Sequence, residues 1–266
     1  MNIKNHTFIV TGAGSGMGKE LSYQIVQKGG FVIGIDRNED TLAQVNEYLK
    51  PYGGFSASYV LDIADVNAIN TISTRIIETH KTIDGIFNNA GIIQPFKPFN
   101  ELDEQAIRHV MDVNFFGLIF LTKAFLPILL SRPVAHIVNT SSMGGFLPVP
   151  GQTIYGASKA AVKLFTEGLF AELADTKVHV TLILPGAIET NITSNSGIEI
   201  PSSVDGKSYK MLSATDAAAQ IIKAVERNKY HAYIGRDAWF MNILTRLNPL
   251  YANRMISKQM KSLLKN

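Results

Sequence analysis

Short apolar runs, rich in β-branched residues, recur along this chain and alternate with longer segments of mixed polarity. A run of this kind predicts a strand that is buried on both faces of a sheet. The predicted strands cover residues 8–10, 31–35, 58–61, 85–87, 136–138, 178–183 and 233–234. The segments between them repeat their apolar positions with the spacing of a helix. These segments predict helices over 17–27, 39–49, 66–79, 104–129, 155–173 and 215–227.

The alternation of strand and helix indicates the fold class. Each strand is joined to the next by a helical crossover, and such crossovers are right-handed and connect parallel strands. The pattern therefore predicts an α/β fold, a doubly wound parallel sheet of the Rossmann type in a single domain. Residues 1–236 are expected to carry the sheet and its helices, and residues 237–266 are expected to form an amphipathic helical extension of the same domain.

One internal segment, at about 190–212, does not follow this alternation. It is rich in Ser, Asn, Gly and Pro and has weak periodicity. Long segments of this composition are commonly surface loops that carry function. We expect a lid beside a ligand site.

The C-terminal extension has two apolar stripes at helical spacing, separated by Asn248 as a helix cap and Pro249 as a first helical residue. Both stripes are expected to be buried, either over the ligand pocket or against a neighbouring subunit. Because the second helix is basic and lacks acidic residues, contact with an anionic membrane surface is the alternative. The stripes comprise Trp239, Phe240, Ile243, Leu244 and Leu247, then Tyr251, Met255, Ile256, Met260, Leu263 and Leu264, and the basic residues are Arg254, Lys258, Lys261 and Lys265.

Composition removes several classes of function. Of 266 residues, 46% are hydrophobic and 18% are charged, which predicts a globular protein. A net charge of +3 lacks the concentrated basic footprint of a nucleic-acid-binding protein, so no nucleic acid partner is expected. The chain has no cysteine, and its six histidines are scattered, so no disulfide, thiolate or metal site is expected.

The N-terminus does not have the pattern of a signal peptide, and a cytoplasmic location is expected. The apolar stretch 115–130 is interrupted by Lys123 and Pro127 and predicts a buried helix.

A glycine-rich turn follows the first strand and leads directly into a helix. Glycine allows the backbone to approach a ligand closely, and a helix N-terminus offers N–H groups and a positive dipole end to a pyrophosphate. The turn lacks the Gly-Lys-Ser/Thr ending of a triphosphate loop, so a dinucleotide and hydride chemistry are favoured. The candidate cofactor residues here are Gly12, Ser15, Gly16, Met17 and Gly18.

Acidic residues end the second and third strands. The carboxylate of Asp36 could accept the ribose hydroxyls of an adenosine and would repel a 2′-phosphate, which favours NAD over NADP. Alternatively, Asp36 could cap a helix or pair with Arg37, whose guanidinium could itself hold the phosphate of NADP. Asp62, followed by Ile63, could reach the adenine or could only cap a turn.

Tyr155 and Lys159 stand one turn apart on a predicted helix. A free tyrosine has a pKa of about 10, and a nearby ammonium favours the phenolate. The pair is therefore a candidate acid–base system, although such spacing also arises by chance on helix surfaces.

With these motifs in order, the chain resembles the short-chain dehydrogenase/reductase family. The resemblance extends from Thr11 to Thr190 and covers most of the chain. The matching segments are the turn Thr11–Gly18, Asn88–Gly91, Asn114, Ile137–Ser142, the pair Tyr155 and Lys159, and Pro185–Thr190. Such an ordered set is far more specific than a glycine turn alone.

The resemblance implies roles for individual residues. Tyr155 would exchange a proton with the substrate oxygen, and Ser142 would hold that oxygen. Ser142 fits the family serine better than Ser141, which would then hydrogen-bond locally. Lys159 would lower the pKa of Tyr155 and bind the nicotinamide ribose. Asn114 would anchor a water, or alternatively would only satisfy a helix kink.

The resemblance also implies that further residues contact the cofactor. They are Asn89, Ala90 and Gly91 after the fourth strand, Pro185, Gly186, Ile188 and Thr190 near the nicotinamide amide, and Tyr155 and Lys159 themselves. A homodimer or homotetramer is expected as well.

The expected function is hydride transfer between NAD(H) and a secondary alcohol or ketone. A lipophilic substrate is favoured because the residues expected around the site are apolar, namely Ile93, Phe96, Phe99, Phe146, Leu147, Val149 and Ile188. The alternatives are an NADP-dependent carbonyl reductase and an inactive, cofactor-binding regulatory protein.

Overall fold

The computed structural model describes residues 1–190, 192, 196 and 211–260. Its strands are β1 (Thr7–Thr11), β2 (Phe31–Asp36), β3 (Ala57–Val60), β4 (Gly85–Asn88), β5 (Ala135–Thr140), β6 (Val178–Pro185), β7 (Ile188–Glu189), β8 (Leu212–Ser213) and β9 (His231–Ile234). Its helices are α1 (Gly16–Gln27), α2 (Glu39–Leu49), α3 (Val66–Thr79), α4 (Glu104–Met111), α5 (Leu118–Leu130), α6 (Thr153–Glu172), α7 (Ala214–Glu226), α8 (Arg236–Leu247) and α9 (Pro249–Met260).

Seven strands form one parallel sheet in the order β3-β2-β1-β4-β5-β6-β9. Strands β2 and β3 are added in turn on one side of β1. The chain then crosses to the other side of β1, where β4, β5, β6 and β9 are added in turn. The predicted doubly wound architecture is confirmed. Where the direction of winding reverses, between β1 and β4, the connections diverge and leave a crevice at the carboxyl ends of the strands.

Each face of the sheet is covered by a separate apolar layer. Helices α1 and α7 bury Leu21, Ile25 and Ile221 against one face. Helices α3, α5 and α6 cover the other, where Ile69 and Phe125 are fully buried. The strands are apolar on both sides because both sides of the sheet are covered.

The predicted helix over 104–129 is interrupted. A π-helix, Asp112–Gly117, separates α4 from α5. By length and composition, the stretch Glu104–Leu130 could cross a membrane. In this fold it contributes Val110, Phe125 and Leu129 to the core, as expected for the buried helix at 115–130.

The tail forms two helices, as predicted, and the side chain of Asn248 caps the second by accepting from the Tyr251 N–H at 3.0 Å. Leu244 of its first stripe packs on the apolar cluster around Leu147, but the predicted burial is wrong within this chain for Trp239, Phe240, Ile243 and Leu247. Trp239 is 58% exposed and Leu247 is 80% exposed, whereas Ala238 and Met241 point inward. The rotation of α8 agrees with a hydrogen bond between Asp237 Oδ2 and the Ala187 N–H at 2.7 Å, which ties the first turn to the loop after β6.

Most of the predicted lid at 190–212 lies outside the described residues, as do Lys261, Leu263, Leu264 and Lys265. The two ends of the segment are joined, because Ile188 in β7 pairs with Leu212 in β8.

Candidate active site

A cleft of about 390 Å³ opens at the crevice between β1 and β4. Twelve of the predicted cofactor residues line it: Gly12, Ser15, Gly16, Met17, Asp36, Arg37, Asp62, Ile63, Asn89, Ala90, Gly91 and Thr190. The sequence did not single out a further set of lining residues, which are Ile35, Asn38, Thr41, Leu61, Ile92, Val113 and Ile192. These residues have no sequence motif, and they reach the cleft because the crossovers bring the ends of the strands together.

The glycine turn at the base of the cleft needs its glycines for two different reasons. Gly12 and Gly16 have φ of +68° and +48°, in the left-handed region where a side chain is strained. Gly18 does not line the cleft. A Cβ on Gly18 would overlap the carbonyl oxygen of Gly12, so its lack of a side chain lets α1 pack directly on the turn. The first-turn N–H groups of α1 are thereby directed at the cleft.

Asp36 fastens the glycine turn as well as lining the cleft. Its Oδ2 accepts from the Gly14 N–H at 2.9 Å, and its Oδ1 accepts from the Asn38 N–H at 3.1 Å. The alternative role as a helix cap is wrong, because Asn38 caps α2 by accepting from the Thr41 N–H. The carboxylate therefore joins the glycine turn to the segment that leads into α2.

Asp62 both caps a turn and lines the cleft. Its Oδ1 accepts from the Ala64 N–H at 2.9 Å, while the buried Ile63 forms part of the cleft beside it. The two interpretations of Asp62 are compatible in this geometry.

The turn after β4 is fixed to the glycine turn through Thr11. Its Oγ1 accepts from the N–H groups of Asn89 and Ala90, both at 3.0 Å, and Asn89 Nδ2 donates to the Thr11 carbonyl. Within the described chain, Asn89 Oδ1 is buried with no hydrogen-bond partner. This orphaned acceptor, with the close approach of the glycine backbone, fits a polar ligand such as a dinucleotide.

Ser142 and Tyr155 both lie beside Gly144. A Cβ on Gly144 would be 3.2 Å from Tyr155 Cε1 and 3.4 Å from Ser142 Oγ. Ser142 immediately follows Ser141 at the end of β5, and its Oγ accepts from the Gly144 N–H at 3.0 Å. The two hydroxyl-bearing side chains are thus brought to one place by a strand end and a helix start.

Lys159 and Asn114 meet at Gly91. A Cβ on Gly91 would be 3.0 Å from Lys159 Nζ and 3.2 Å from Asn114 Oδ1. Lys159 is buried, and its Nζ lies 6.0 Å from the centre of the Tyr155 ring. The four candidate catalytic residues therefore form one group, and Lys159 and Asn114 border the cleft at Gly91.

Burial controls the titration of this group. It lowers the pKa of Lys159 to about 8, and Lys159 Nζ donates to the Thr140 carbonyl at 3.1 Å. Burial also raises the pKa of Tyr155, while its hydrogen bond with Ser142 acts in the opposite direction. The Tyr155 pKa is therefore raised and not lowered as expected, because desolvation of the phenolate is the largest cause.

Asn114 connects three parts of the site. Its Nδ2 donates to the Ile92 carbonyl at 2.9 Å and to Ser158 Oγ at 3.0 Å, and its Oδ1 accepts from the Ile92 N–H at 2.8 Å. Asn114 lies in the π-helix, but the hydrogen bonds of its side chain go to other segments, so the interpretation as a kink-satisfying residue is wrong.

Ser141 also differs from its prediction. Its Oγ donates to the Lys159 carbonyl at 2.6 Å, across 18 residues of sequence, instead of bonding locally. Ser141 therefore braces the helix that carries the tyrosine and lysine.

The loop after β6 is only partly at the cleft. Thr190 lines it and lies close to Gly16. Pro185, Gly186 and Ile188 do not line it, and Ile188 packs on the apolar layer of α1 and α7. A Cβ on Gly186 would overlap the carboxylate of Asp237, so a residue of the tail shapes this loop. The sequence held one indication of a role for Asp237, which is an acidic residue in the first turn of a helix.

The family model described as short chain dehydrogenase matches residues 6–200. The chain is 32% identical to the 1-deoxy-11-beta-hydroxypentalenate dehydrogenase of Streptomyces avermitilis, over 90% of this chain and 87% of that protein. It is also 32% identical to the Mycobacterium tuberculosis protein named "Probable oxidoreductase EphD", over 90% of this chain, and spans only 43% of the length of that protein.

Two solved structures share the fold. A Burkholderia cenocepacia short-chain dehydrogenase in complex with NADP has a TM-score of 0.80 and 27% identity, over 96% of this chain and 99% of that one. A short-chain dehydrogenase/reductase from Burkholderia phymatum in complex with NAD has a TM-score of 0.83 at 24% identity, over 94% of this chain and 96% of that one. At this identity the second likeness concerns the fold alone.

Proposed function

Because this chain belongs to the short-chain dehydrogenase/reductase family of oxidoreductases, we propose that it transfers a hydride between a nicotinamide dinucleotide and a secondary alcohol or ketone. The observation that carries the proposal is the grouping of Ser142, Tyr155, Lys159 and Asn114 at Gly91, on the border of the dinucleotide cleft. An inactive regulatory protein would not need all four side chains in this arrangement.

The nicotinamide dinucleotide, when bound, supplies or accepts the hydride. The glycine turn, Asp36, the turn Asn89–Gly91 and Thr190 would hold it. Pro185, Gly186 and Ile188 remain proposed contacts for its amide. Asp62 and Ile63 would border the adenine end.

The protein residues handle the proton and the substrate oxygen. The Ser142 hydroxyl would hold the oxygen through a hydrogen bond and stabilise charge that develops on it. The Tyr155 hydroxyl, which is hydrogen-bonded to Ser142, would donate the proton for reduction and accept it for oxidation. Lys159 would favour the phenolate together with the positive charge that an oxidised nicotinamide supplies when bound, and Asn114 would hold a water that resupplies protons.

We propose NAD as the preferred cofactor because the Asp36 carboxylate lines the cleft. Asp36→Asn keeps an oxygen acceptor for the Gly14 N–H and removes the charge that would repel a 2′-phosphate. The ratio of kcat/KM for NAD to that for NADP should fall by at least about tenfold, equivalent to about 1.4 kcal/mol. Steady-state kinetics with both cofactors would measure it. A wild-type enzyme with the higher kcat/KM for NADP would assign the choice to Arg37 instead.

We propose a lipophilic substrate. The residues after Ser142 that face the tail are apolar and partly buried, among them Met143, Phe146 and Val149. Leu147 is fully buried beneath α8 and α9, so it belongs to the core and not to a substrate wall. Exposed apolar side chains on α6, Leu164 and Phe170, support a homodimer or homotetramer.

The tail has an inner and an outer face. Among the residues that the structure describes, the inner face packs on the rest of the chain, where Met241, Ala252 and Ile256 surround Leu147. We define the outer tail face by its exposed apolar residues, Trp239, Phe240, Ile243, Leu247, Leu250 and Tyr251. Exposed cations border it, namely Arg236, Arg246, Arg254 and Lys258, while the single acidic residue of 236–260 is the Asp237 bound to Ala187. This charge complements an anionic lipid surface, so we propose that a cytoplasmic enzyme docks there peripherally.

Trp239 is the only tryptophan in the chain, so its fluorescence reports on the outer tail face directly. Vesicles of phosphatidylcholine with phosphatidylserine should shift its emission to shorter wavelength and sediment the protein, and salt should reverse both effects. Leu247→Glu should weaken binding and serves as the matched variant. No shift with these vesicles, together with a dimer that Leu247→Glu dissociates, would show that a second copy covers this face.

A further inference from the structure

Helix α6 carries Tyr155 in its first turn, but the residue before the helix does not cap it. The Gln152 side chain makes no cap hydrogen bond. Instead, Gln94 Oε1 accepts from the Ile154 N–H at 2.7 Å and from the Tyr155 N–H at 3.0 Å. The backbone of the proposed acid–base residue is therefore held by a side chain 61 residues earlier in the chain.

Gln94 is fixed in this position from every side. It is only 1% exposed, and its Nε2 donates to the Gly151 carbonyl at 3.0 Å. Its own carbonyl accepts from Gln152 Nε2 at 2.7 Å. When the amide oxygen and nitrogen of a buried side chain are both hydrogen-bonded, one conformation of that side chain is strongly favoured. Any other conformation would leave buried donors or acceptors unpaired.

The loop that contains Gln94 begins at the cofactor cleft. Gly91 lines the cleft and lies against Lys159 Nζ, and Ile92 is bonded through both its N–H and its carbonyl to Asn114. Residues 91–94 thus contact α6 at two places. Gly91 lies near Lys159, and Gln94 accepts from the backbone of Tyr155. A helix N-terminus without a cap leaves its first N–H groups without acceptors and is prone to fraying.

We infer that Gln94 is a positioning residue that holds the first turn of α6, and with it the Tyr155 hydroxyl, in register with the cofactor cleft. The inference rests on the proposed function, since it concerns the geometry of proton transfer. A neutral amide suits the position. A carboxylate there would add a negative charge beside Tyr155 and would favour its protonated form.

Gln94→Met has a similar length and removes the two cap bonds. Its kcat should fall at least about tenfold while the substrate KM and the cofactor Kd change by less than about twofold, because small misplacements of a catalytic group are costly. Gln94→Glu restores an acceptor for Ile154 and Tyr155. It should recover part of kcat but shift the pH profile of alcohol oxidation to higher pH, since Tyr155 must lose its proton in that direction.

Gln152→Met is the matched control. It removes one hydrogen bond to the same buried loop and leaves the cap acceptor in place. Its pH profile should coincide with that of the wild type, even where its Tm is lower. A Gln94→Met enzyme whose kcat falls no further than that of Gln152→Met would overturn the inference.

A second measurement does not depend on turnover. Hydrogen exchange at the Ile154 and Tyr155 amides should speed up at least about tenfold in Gln94→Met and much less in Gln152→Met. Equal exchange in the two variants contradicts the positioning role. If the wild type turns over no alcohol or ketone but the exchange result holds, the proposed function fails and the cap remains.

Discussion

Tyr155→Phe should lower turnover by roughly 10²- to 10⁴-fold, the usual contribution of general acid–base catalysis, while cofactor affinity stays near the wild-type value. The phenyl ring fills the same space beside Gly144, so the start of α6 should be undisturbed. No atom of Tyr155 lines the dinucleotide cleft. The loss would therefore reside in the proton transfer and not in binding.

The comparison needs two further variants. Lys159→Ala should damage both turnover and cofactor affinity, because the ammonium lies against Gly91 at the cleft. Tyr251→Phe, on the exposed outer tail face, removes the same hydroxyl group from a helix that carries none of the candidate catalytic residues and should leave turnover unchanged. The measurements are kcat/KM and cofactor Kd by fluorescence titration. A Tyr155→Phe enzyme within about tenfold of the wild type would be incompatible with the proposed role.

Gly18→Ala should weaken cofactor binding strongly, although Gly18 itself does not line the cleft. The added Cβ would overlap the Gly12 carbonyl oxygen, and it would lie 2.6 Å from the Gly12 carbonyl carbon and 2.9 Å from Asn89 Nδ2. Two of these atoms are backbone of the ligand turn, so the turn itself must move. We expect the cofactor Kd to rise by at least about tenfold and the free energy of unfolding to fall by roughly 1–3 kcal/mol.

Gly168→Ala is the matched control for this change. Gly168 is also inside a helix, is exposed, and has nothing within 4 Å of an added Cβ. The same methyl group there should stabilise the protein by roughly 0.5–1 kcal/mol and leave Kd unchanged. Chemical denaturation and cofactor titration of both variants make the test. Equal behaviour of the two would refute the packing argument for Gly18.

The sequence predicted those features that depend on local pattern. The apolar runs identified the strands of the main sheet, and the helices 39–49 and 66–79 have the predicted bounds. The glycine turn and the residues Asp36 and Asn89 lie together because parallel strands end at one edge. The order of the motifs indicated the family before any contact was known.

Other features depend on contacts that have no local signal. The spacing of apolar residues in the tail did not indicate which side of α8 faces the protein. In the structure Ala238 and Met241 are buried, and Trp239 is exposed. Ser141 was expected to bond locally, yet its acceptor lies on α6. The cap from Gln94 joins residues that only the packing of the loop against α6 brings together.

Following the hydride itself tests the proposed reaction most directly. The enzyme would be incubated with NADH or NADPH carrying deuterium at both C4 positions and with a panel of lipophilic ketones, and the products analysed by mass spectrometry. We predict an alcohol with deuterium on its carbinol carbon, formed faster with labelled NADH and nearly absent with Tyr155→Phe. A protein that binds the labelled cofactor tightly but yields deuterated alcohol from no ketone would contradict the proposed hydride transfer.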